Sequence, residues 1–415
     1  MSASSLIAVL LTLTGLFAYL NHKFLRLPLA VGVMGISLTF SLLAIVGQHL
    51  GLPLQRWATD TLTHIDFSEA LLNGMLSFML FAGALHVDLA ELREQKAIIA
   101  LLATVGVLIS TCVVGLSTWM LFRYLGLPIP FLACLTFGAL ISPTDPIAVM
   151  GLLKKMNVPK SLSTKIAGES LFNDGVGIVV FLLALRMWSS GSKALEWQHT
   201  LLLIALEIGG GIALGLVLGA LCYFLLRSID NYQVELMLTL ALVSGGYELA
   251  SVVHASGPLA IVTAGLAIGT YGRRNAMSET SRRNLDIFWE TLDEILNGML
   301  FVLIGLQLLV LNLERSYLIA AVCSIPLVLG ARFISLALPI AAVKLLRQRT
   351  SEISILTWGG LRGGISIALA LSLSPGHIKE VLVISTYAAV AFSILVQATT
   401  MPMLLRARFG ANQAV

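Results

Sequence analysis

The chain has 415 residues, of which 57% are hydrophobic and 12% charged, whereas soluble domains carry about 25% charged residues. A mean hydropathy of +0.92 excludes a protein dominated by a water-soluble domain. The formal net charge of +4 does not indicate a nucleic-acid partner, because the basic residues lie in short loops beside apolar runs, where they set membrane topology.

Apolar runs recur along the whole chain, and about 20 such residues cross the hydrocarbon core of a bilayer. The sequence predicts an all-α, polytopic membrane protein with about 13 transmembrane helices. The first run is interpreted as a span rather than a signal peptide, because its nearest cations, Lys23 and Arg26, follow it. The predicted spans are 4–22, 27–48, 66–87, 98–122, 129–153, 163–186, 200–226, 234–254, 256–272, 292–312, 318–342, 353–374 and 380–404.

The positions of Lys and Arg orient these spans, because cytoplasmic loops are enriched in both residues. With the N-terminus outside, eighteen cations fall on the cytoplasmic side and six on the outer side. The remaining two, Arg332 and Arg362, lie within spans. This alternation predicts a multi-pass protein of the cell inner (plasma) membrane, with its N-terminus outside and its C-terminus in the cytoplasm.

Two further stretches have a simple structural interpretation. Gly211, Gly215 and Gly219 form a ridge of small residues on the seventh span, which favours close helix packing within the chain or across a dimer. The longest polar stretch, from Gly272 to Asp286, is predicted as a cytoplasmic loop. The acids that follow it are interpreted as residues at a helix N-terminus, where the helix dipole favours them: Glu290, Asp293 and Glu294.

The fifth span contains Ser142-Pro143-Thr144-Asp145-Pro146. Each proline removes a backbone donor, and the residue before a proline is pushed out of the helical conformation. A break is therefore predicted here, with free carbonyls beside the Asp145 carboxylate. Irregular backbone at membrane depth is tolerated where it lines a cavity, and such oxygens suit a hard cation such as Na⁺. A simple proline kink, with Asp145 reaching water, is the alternative.

The sixth span contains Gly168-Glu169-Ser170-Leu171-Phe172-Asn173-Asp174-Gly175. On a helix, Ser170 and Asp174 share one face, and Glu169 and Asn173 share the neighbouring face. A charge at the bilayer centre costs about 2.5–3.5 kcal/mol. At least one of the two carboxylates therefore requires a cation partner or a bound proton.

The twelfth span contains Gly359-Gly360-Leu361-Arg362-Gly363-Gly364. Four glycines weaken a helix, so a second break is predicted around Arg362. This arginine cannot lose its proton, and Glu169 is expected to be its ionic partner. Arg332, in the eleventh span, is a second buried cation that needs a partner.

The order of these segments suggests an inverted repeat. Spans four to six begin inside, spans eleven to thirteen begin outside, and each triplet has its break in the middle span. Two interrupted helices that cross near the midplane form the ion sites of secondary transporters.

These three segments resemble signature motifs of the NhaP-type sodium/proton antiporters, in the first monovalent cation:proton antiporter family. Residues 257–269 and 288–308 are also similar to that family, and the resemblance covers nearly the whole chain. It implies an NhaA-like antiporter fold, a homodimer and an elevator-like motion of a core domain. It further implies the following domain ranges: 97–187 and 318–405 for the core, 1–90 and 234–312 for the dimerisation side, and 199–228 for a linking helix.

The resemblance assigns Na⁺ contact to four residues: Asp174, Asp145, Ser170 and the backbone of Thr144. It assigns Asn173 to holding the unwound segment. It assigns structural ion pairing to three residues: Glu169, Arg362 and Arg332. No cofactor is expected beside the transported Na⁺ and H⁺, because the cysteines form no metal-binding cluster. One departure is Ala82, at a third-span position where related microbial proteins often carry an acid.

The expected function is antiport of Na⁺ (or Li⁺) against H⁺, by competition of cation and proton at Asp174. The neutral Asn173 before it fits electroneutral, one-for-one exchange. A K⁺/H⁺ antiporter of the same fold is the closest alternative. An intramembrane aspartyl protease would need two membrane aspartates as a dyad, but neither sequence context is typical of one. A cation channel would need a repeated filter loop, which the sequence lacks.

Overall fold

The computed structural model describes residues 3–49, 74–87, 89–146, 149–151, 153, 156, 158–190, 197–310, 314–342 and 350–409. Within these ranges the secondary structure is helical, and no strand occurs among the described residues. Part of the predicted third span, residues 66–73, lies outside the described residues.

The helices fall into two halves of the chain. Those of the first half are α1 (Ala3–Leu20), α2 (Leu29–His49), α3 (Leu76–Leu85), α4 (Leu89–Leu101), α5 (Val107–Tyr124), α6 (Phe131–Ile141), α7 (Lys160–Ser190) and α8 (Trp197–Arg227). Those of the second half are α9 (Tyr232–Val252), α10 (Gly257–Ala267), α11 (Arg273–Asn275), α12 (Glu279–Gln307), α13 (Arg315–Ala342), α14 (Thr350–Gly359), α15 (Gly364–Leu371), α16 (His377–Phe392) and α17 (Ala398–Phe409). Short π-helical turns join or follow several of them: Asn21–Leu25, Leu102–Gly106, Ile268–Gly272 and Ser393–Gln397.

Many of these helices have the length and composition of membrane spans. Among the described residues, seven are long and apolar enough to cross a membrane, and the pair α14–α15 makes an eighth across a 47° bend. Shorter apolar helices coincide with the predicted third, fifth and ninth spans: Leu76–Leu85, Phe131–Ile141 and Gly257–Gly272. The prediction of an all-helical, polytopic membrane protein is confirmed.

The predicted loop from Gly272 to Asp286 is wrong over its second half, because α12 already begins at Glu279. The side chain of Ser278 caps this helix by accepting a hydrogen bond from the Ser281 amide at 3.3 Å. The added turns bury Trp289, whose ring packs against Phe81 with centroids 4.6 Å apart. The polar residues of this stretch therefore lie on one face of a helix whose other face is packed.

The helices pack as two groups. In one group, α5 packs against α6 and α13, α7 packs against α4 and α6, and α13 packs against α14 and α16. In the other, α10 packs against α3, α8 and α9, while α12 packs against α1 and α2. Both predicted breaks directly follow helices of the first group, α6 and α14.

The small-residue ridge of α8 faces α10 within the chain. A Cβ on Gly215 would overlap the carbonyl oxygen of Ala260, and a Cβ on Gly211 would lie 2.7 Å from the carbonyl oxygen of Ser256. Glycine is required at both positions because the backbones approach so closely. Packing within the chain, rather than a dimer contact, therefore accounts for the ridge.

Gly215→Ala should destabilise the protein, since the new methyl group has no room beside Ala260. Gly209→Ala is the matched control on the same helix, because nothing lies within 4 Å of a Cβ built there. That control should be stabilising by up to about 1 kcal/mol, the helix-propensity gain of alanine over glycine. Melting temperatures of the purified variants in detergent measure both effects, and equal shifts of the same sign would contradict the packing argument.

Candidate ion-binding site

The first break lies where the two prolines predict it. Helix α6 ends at Ile141, residues 142–146 are not helical, and residues 149–151 are helical again. The amides of Val149 and Met150 donate to the carbonyl oxygen of Pro146, at 2.9 and 2.7 Å. The simple kink that the sequence left open does not describe this geometry, because the helix is interrupted over several residues.

The second break separates α14 from α15. Residues 360–363 are not helical, and Gly363 has an extended backbone with φ −117° and ψ −167°. The Arg362 amide, released from helical bonding, donates to Ser393 Oγ at 3.1 Å. Gln397 Nε2 donates to the carbonyl oxygen of Trp358 at 3.2 Å. The last span thus supplies partners for backbone groups that the break sets free, as the bilayer interior requires.

The two breaks touch each other. The amide of Asp145 donates to the carbonyl oxygen of Leu361 at 2.8 Å. A Cβ on Gly363 would lie 2.5 Å from the Asp145 Cβ and 2.6 Å from its Oδ2, so glycine is needed for this approach. Each break therefore uses the other as its hydrogen-bonding partner.

Helix α7 holds the first break through Thr144. Asn173 Nδ2 donates to Thr144 Oγ1 at 2.8 Å, and the Thr144 amide donates to Asn173 Oδ1 at 3.4 Å. The hydroxyl of Ser170 donates to the carbonyl oxygen of Thr144. Asn173 is fully buried and Thr144 is nearly so. The unwound backbone is thus fixed against the helix that carries Asp174.

The predicted Glu169–Arg362 ion pair is wrong. Both carboxylate oxygens of Glu169 accept from Arg332, at 2.5 Å from Nη1 and 2.8 Å from Nη2. This bidentate geometry is the strongest that an arginine and a carboxylate form. Glu169 and Arg332 are 2% and 6% exposed, so the pair is fully inside the protein.

Arg362 has a different function, which the sequence did not indicate. Its Nη1 donates to the carbonyl oxygens of Ser142, at 2.5 Å, and Pro143, at 3.2 Å. These carbonyls belong to the first break, where the prolines leave helical acceptors without donors. The guanidinium therefore binds the C-terminal end of α6, where the helix dipole favours a cation.

A cavity of about 620 Å³ lies beside the crossing. Its wall includes four predicted cation ligands: Asp174, Asp145, Ser170 and Thr144. Asp174 is 9% exposed, so its carboxyl group meets the cavity at a narrow surface. Four predicted site residues do not line the cavity, and they contact the residues or backbone around it: Asn173, Glu169, Arg332 and Arg362.

The opposite wall carries acids that the sequence analysis misplaced. Glu290, Asp293 and Glu294 line the same cavity from the interior of α12, not from its N-terminus. Asp293 Oδ1 is buried and has no hydrogen-bond partner among the described residues. The amphipathic pattern from Glu279 onward was the available signal for a longer helix. Ala82 lines this cavity too, so no third-span carboxylate enters the site at that position.

A polytopic helical protein with two broken helices that cross beside carboxylates has the site of a secondary ion transporter. Residues that carry carboxylate and hydroxyl groups line this one cavity, and oxygen atoms are the donors that hard cations prefer.

The chain belongs to the sodium/hydrogen exchanger family, whose transmembrane model matches residues 8–407. The Na⁺/H⁺ antiporter NhaP of Pseudomonas aeruginosa is 47% identical over 407 residues, which is 97% of this chain and 96% of that protein. The Na⁺/H⁺ antiporter NhaH of Halobacillus dabanensis is 33% identical and covers 88% of this chain and 90% of its own length. The structure of the sodium proton antiporter MjNhaP1 of Methanocaldococcus jannaschii matches with a TM-score of 0.76 at 22% identity, over 97% of this chain and 98% of that one.

Double-mutant cycles with methionine should place the ionic coupling between Glu169 and Arg332. Breaking a buried pair from one side costs about 3–5 kcal/mol, so each single variant should be strongly destabilised. Glu169→Met combined with Arg332→Met should lose much less than the sum of the two. Unfolding in detergent gives the free energies, and the Glu169–Arg362 cycle is the control. A larger coupling in that control would contradict the pairing described above.

Proposed function

We propose that this protein is a secondary active antiporter that exchanges Na⁺ (or Li⁺) for H⁺. The observation that carries the proposal is the convergence of Asp174, Asp145, Ser170 and Thr144 on one cavity at the crossing of two broken helices. The relatives named above are called Na⁺/H⁺ antiporters, and they align with this chain over almost their whole length. They support the same activity.

Asp174 is the residue at which cation and proton compete. A carboxylate can bind a monovalent cation or a proton, and the gain of one requires the loss of the other. A ligand shifts a conformational equilibrium only through its different affinity for the two states. The neutralised site, with either ion bound, crosses the membrane readily, whereas the empty and charged site does not. This competition couples the two fluxes without any cofactor.

The cation ligands are the Asp174 and Asp145 carboxylates, the Ser170 hydroxyl and the Thr144 carbonyl oxygen. The Ser170 hydroxyl donates to that carbonyl, which keeps a second lone pair for a cation. Asn173 fixes the position of Thr144 from the other side. Because Asn173 is neutral, one titratable group on this face binds one proton per cation, and exchange is electroneutral.

The proposed antiporter has the following arrangement of spans and domains. Thirteen spans form two inverted repeats, with residues 97–187 and 318–405 as the core domain. Residues 1–90 and 234–312 form the dimerisation side of a homodimer, and 199–228 link the two. The packing of α5, α6, α7, α13 and α16 with one another, apart from the group around α10, supports this division. The core moves in an elevator-like manner against the dimerisation side.

The protein lies in the cell inner (plasma) membrane with its N-terminus outside and its C-terminus in the cytoplasm. The cavity then faces the cytoplasm, since its wall includes His86 and Gly151, near span ends on the side richer in cations. The structure therefore corresponds to the inward-facing state of the transport cycle.

Asp174→Asn should abolish Na⁺-dependent proton flux in proteoliposomes, because the amide neither releases a proton nor offers a charge to Na⁺. Asp230→Asn is the control, since Asp230 is exposed on the loop between α8 and α9 and should retain full flux. Measurement with a pH-sensitive dye on both variants decides the assignment. Retained flux in Asp174→Asn would refute it.

Proton flux in everted vesicles, with Na⁺, Li⁺ and K⁺ added in turn across a pH series, should respond to Na⁺ and Li⁺. The same measurement under an imposed membrane potential should give an unchanged rate, because one-for-one exchange moves no net charge. A response to K⁺ alone would favour the K⁺/H⁺ alternative. A strong dependence on potential would contradict the stoichiometry and leave the antiport itself standing.

A further inference from the structure

Two buried arginines line the same small cavity, and each keeps an N–H donor without a partner in the described part of the chain. Arg332 Nε and Arg362 Nη2 are both buried, and neither has a hydrogen-bond partner among the described residues. The two side chains are 6% and 3% exposed. A buried donor without an acceptor costs about 1–3 kcal/mol, and more when the group is charged. Two such donors in one place call for a shared acceptor.

The cavity between them measures about 10 Å³. Its polar wall consists of Arg332, Arg362, Ser393 and Gln397, and its apolar wall includes Val328. This space is separate from the large cavity at Asp174, with which it shares no lining residue. It lies behind the second break, on the side away from the proposed cation ligands.

The size of this space decides between occupants. A volume of about 10–15 Å³ holds one water molecule, whereas a halide ion is larger. Glu169 neutralises Arg332 through two hydrogen bonds, and Arg362 donates to backbone carbonyl oxygens, so it is the size of the space that favours water over an anion. A water can accept from both arginines, and one acceptor for its own protons gives it the usual number of about three hydrogen bonds. Gln397 Oε1 accepts from Ser393 Oγ at 2.5 Å, and an amide oxygen has a second lone pair to offer.

We propose that this cavity is a binding site for one structural water molecule, which accepts hydrogen bonds from Arg332 Nε and Arg362 Nη2 and donates to Gln397 Oε1. The water connects two hydrogen-bonded units of the protein. One is the Glu169–Arg332 pair between α7 and α13, and the other is Arg362 with the carbonyls of the first break. The water thus helps to fix the position of the second break relative to the first.

The direct test is a structure of the full-length protein at a resolution that shows ordered waters, with chloride and bromide buffers compared. We expect a peak within hydrogen-bonding distance of Arg332 Nε and Arg362 Nη2 that has no anomalous signal in bromide. An empty cavity would overturn the proposal. A bromide signal would also overturn it, because the occupant would then be a monatomic anion.

A variant gives a second, independent readout. Val328→Ile adds one methylene group to the cavity wall and should displace the water, leaving two charged donors unpaired. Val390→Ile is the control, because Val390 is also buried, at 0% exposed against 3% for Val328, but does not line this cavity. The melting temperature of Val328→Ile should fall at least about 3 °C below that of the control. A Val328→Ile variant that melts at or above the wild type would show that the methylene fills a dry space, and the proposal would fail.

Discussion

The structure depends on one constraint, which is that every backbone polar group at membrane depth must find a partner inside the protein. Two helices are interrupted, and the groups they release bond to one another and to side chains of α7 and of the last span. The Asp145 amide reaches the carbonyl of Leu361, and Arg362 reaches the carbonyl of Ser142. Removing either break would leave the other with unsatisfied groups, so the two interruptions are stable only as a pair.

The buried charges follow the same logic. Glu169 and Arg332 neutralise each other through two short hydrogen bonds, and the pair is inaccessible from the large cavity. Arg362 is held by backbone dipoles instead of by a carboxylate. Asp174 is different, because no cation among the described residues forms a salt bridge with it, and it lines the cavity. The fold therefore neutralises the charge of Glu169 inside the protein and leaves Asp174 at the cavity wall.

The sequence predicted the location of both breaks, because proline and glycine act locally through backbone sterics and entropy. It also predicted that Ser170, Asn173 and Asp174 share neighbouring faces of one helix, since helical periodicity fixes this. Prediction from the sequence was wrong where the partner of a residue depended on distances in the tertiary structure. Nothing local distinguishes Arg332 from Arg362 as the partner of Glu169, and two arginines in adjacent spans satisfy the same charge argument. The helical start at Glu279 was missed because a polar composition was given more weight than the burial of Leu285 and Trp289 on one face.

The walls of the large cavity come from both packing groups. Asp174 and the breaks belong to the group around α13, whereas Ala82 and Asp293 belong to α3 and α12 of the other group. The cavity therefore lies at the interface between the two packing groups and not within one of them. If one group slides along the other, this interface can close at one side of the membrane and open at the other. Every hydrogen bond between the two breaks can stay intact during that motion. The geometry of the two breaks is thus independent of the width of the cavity beside them.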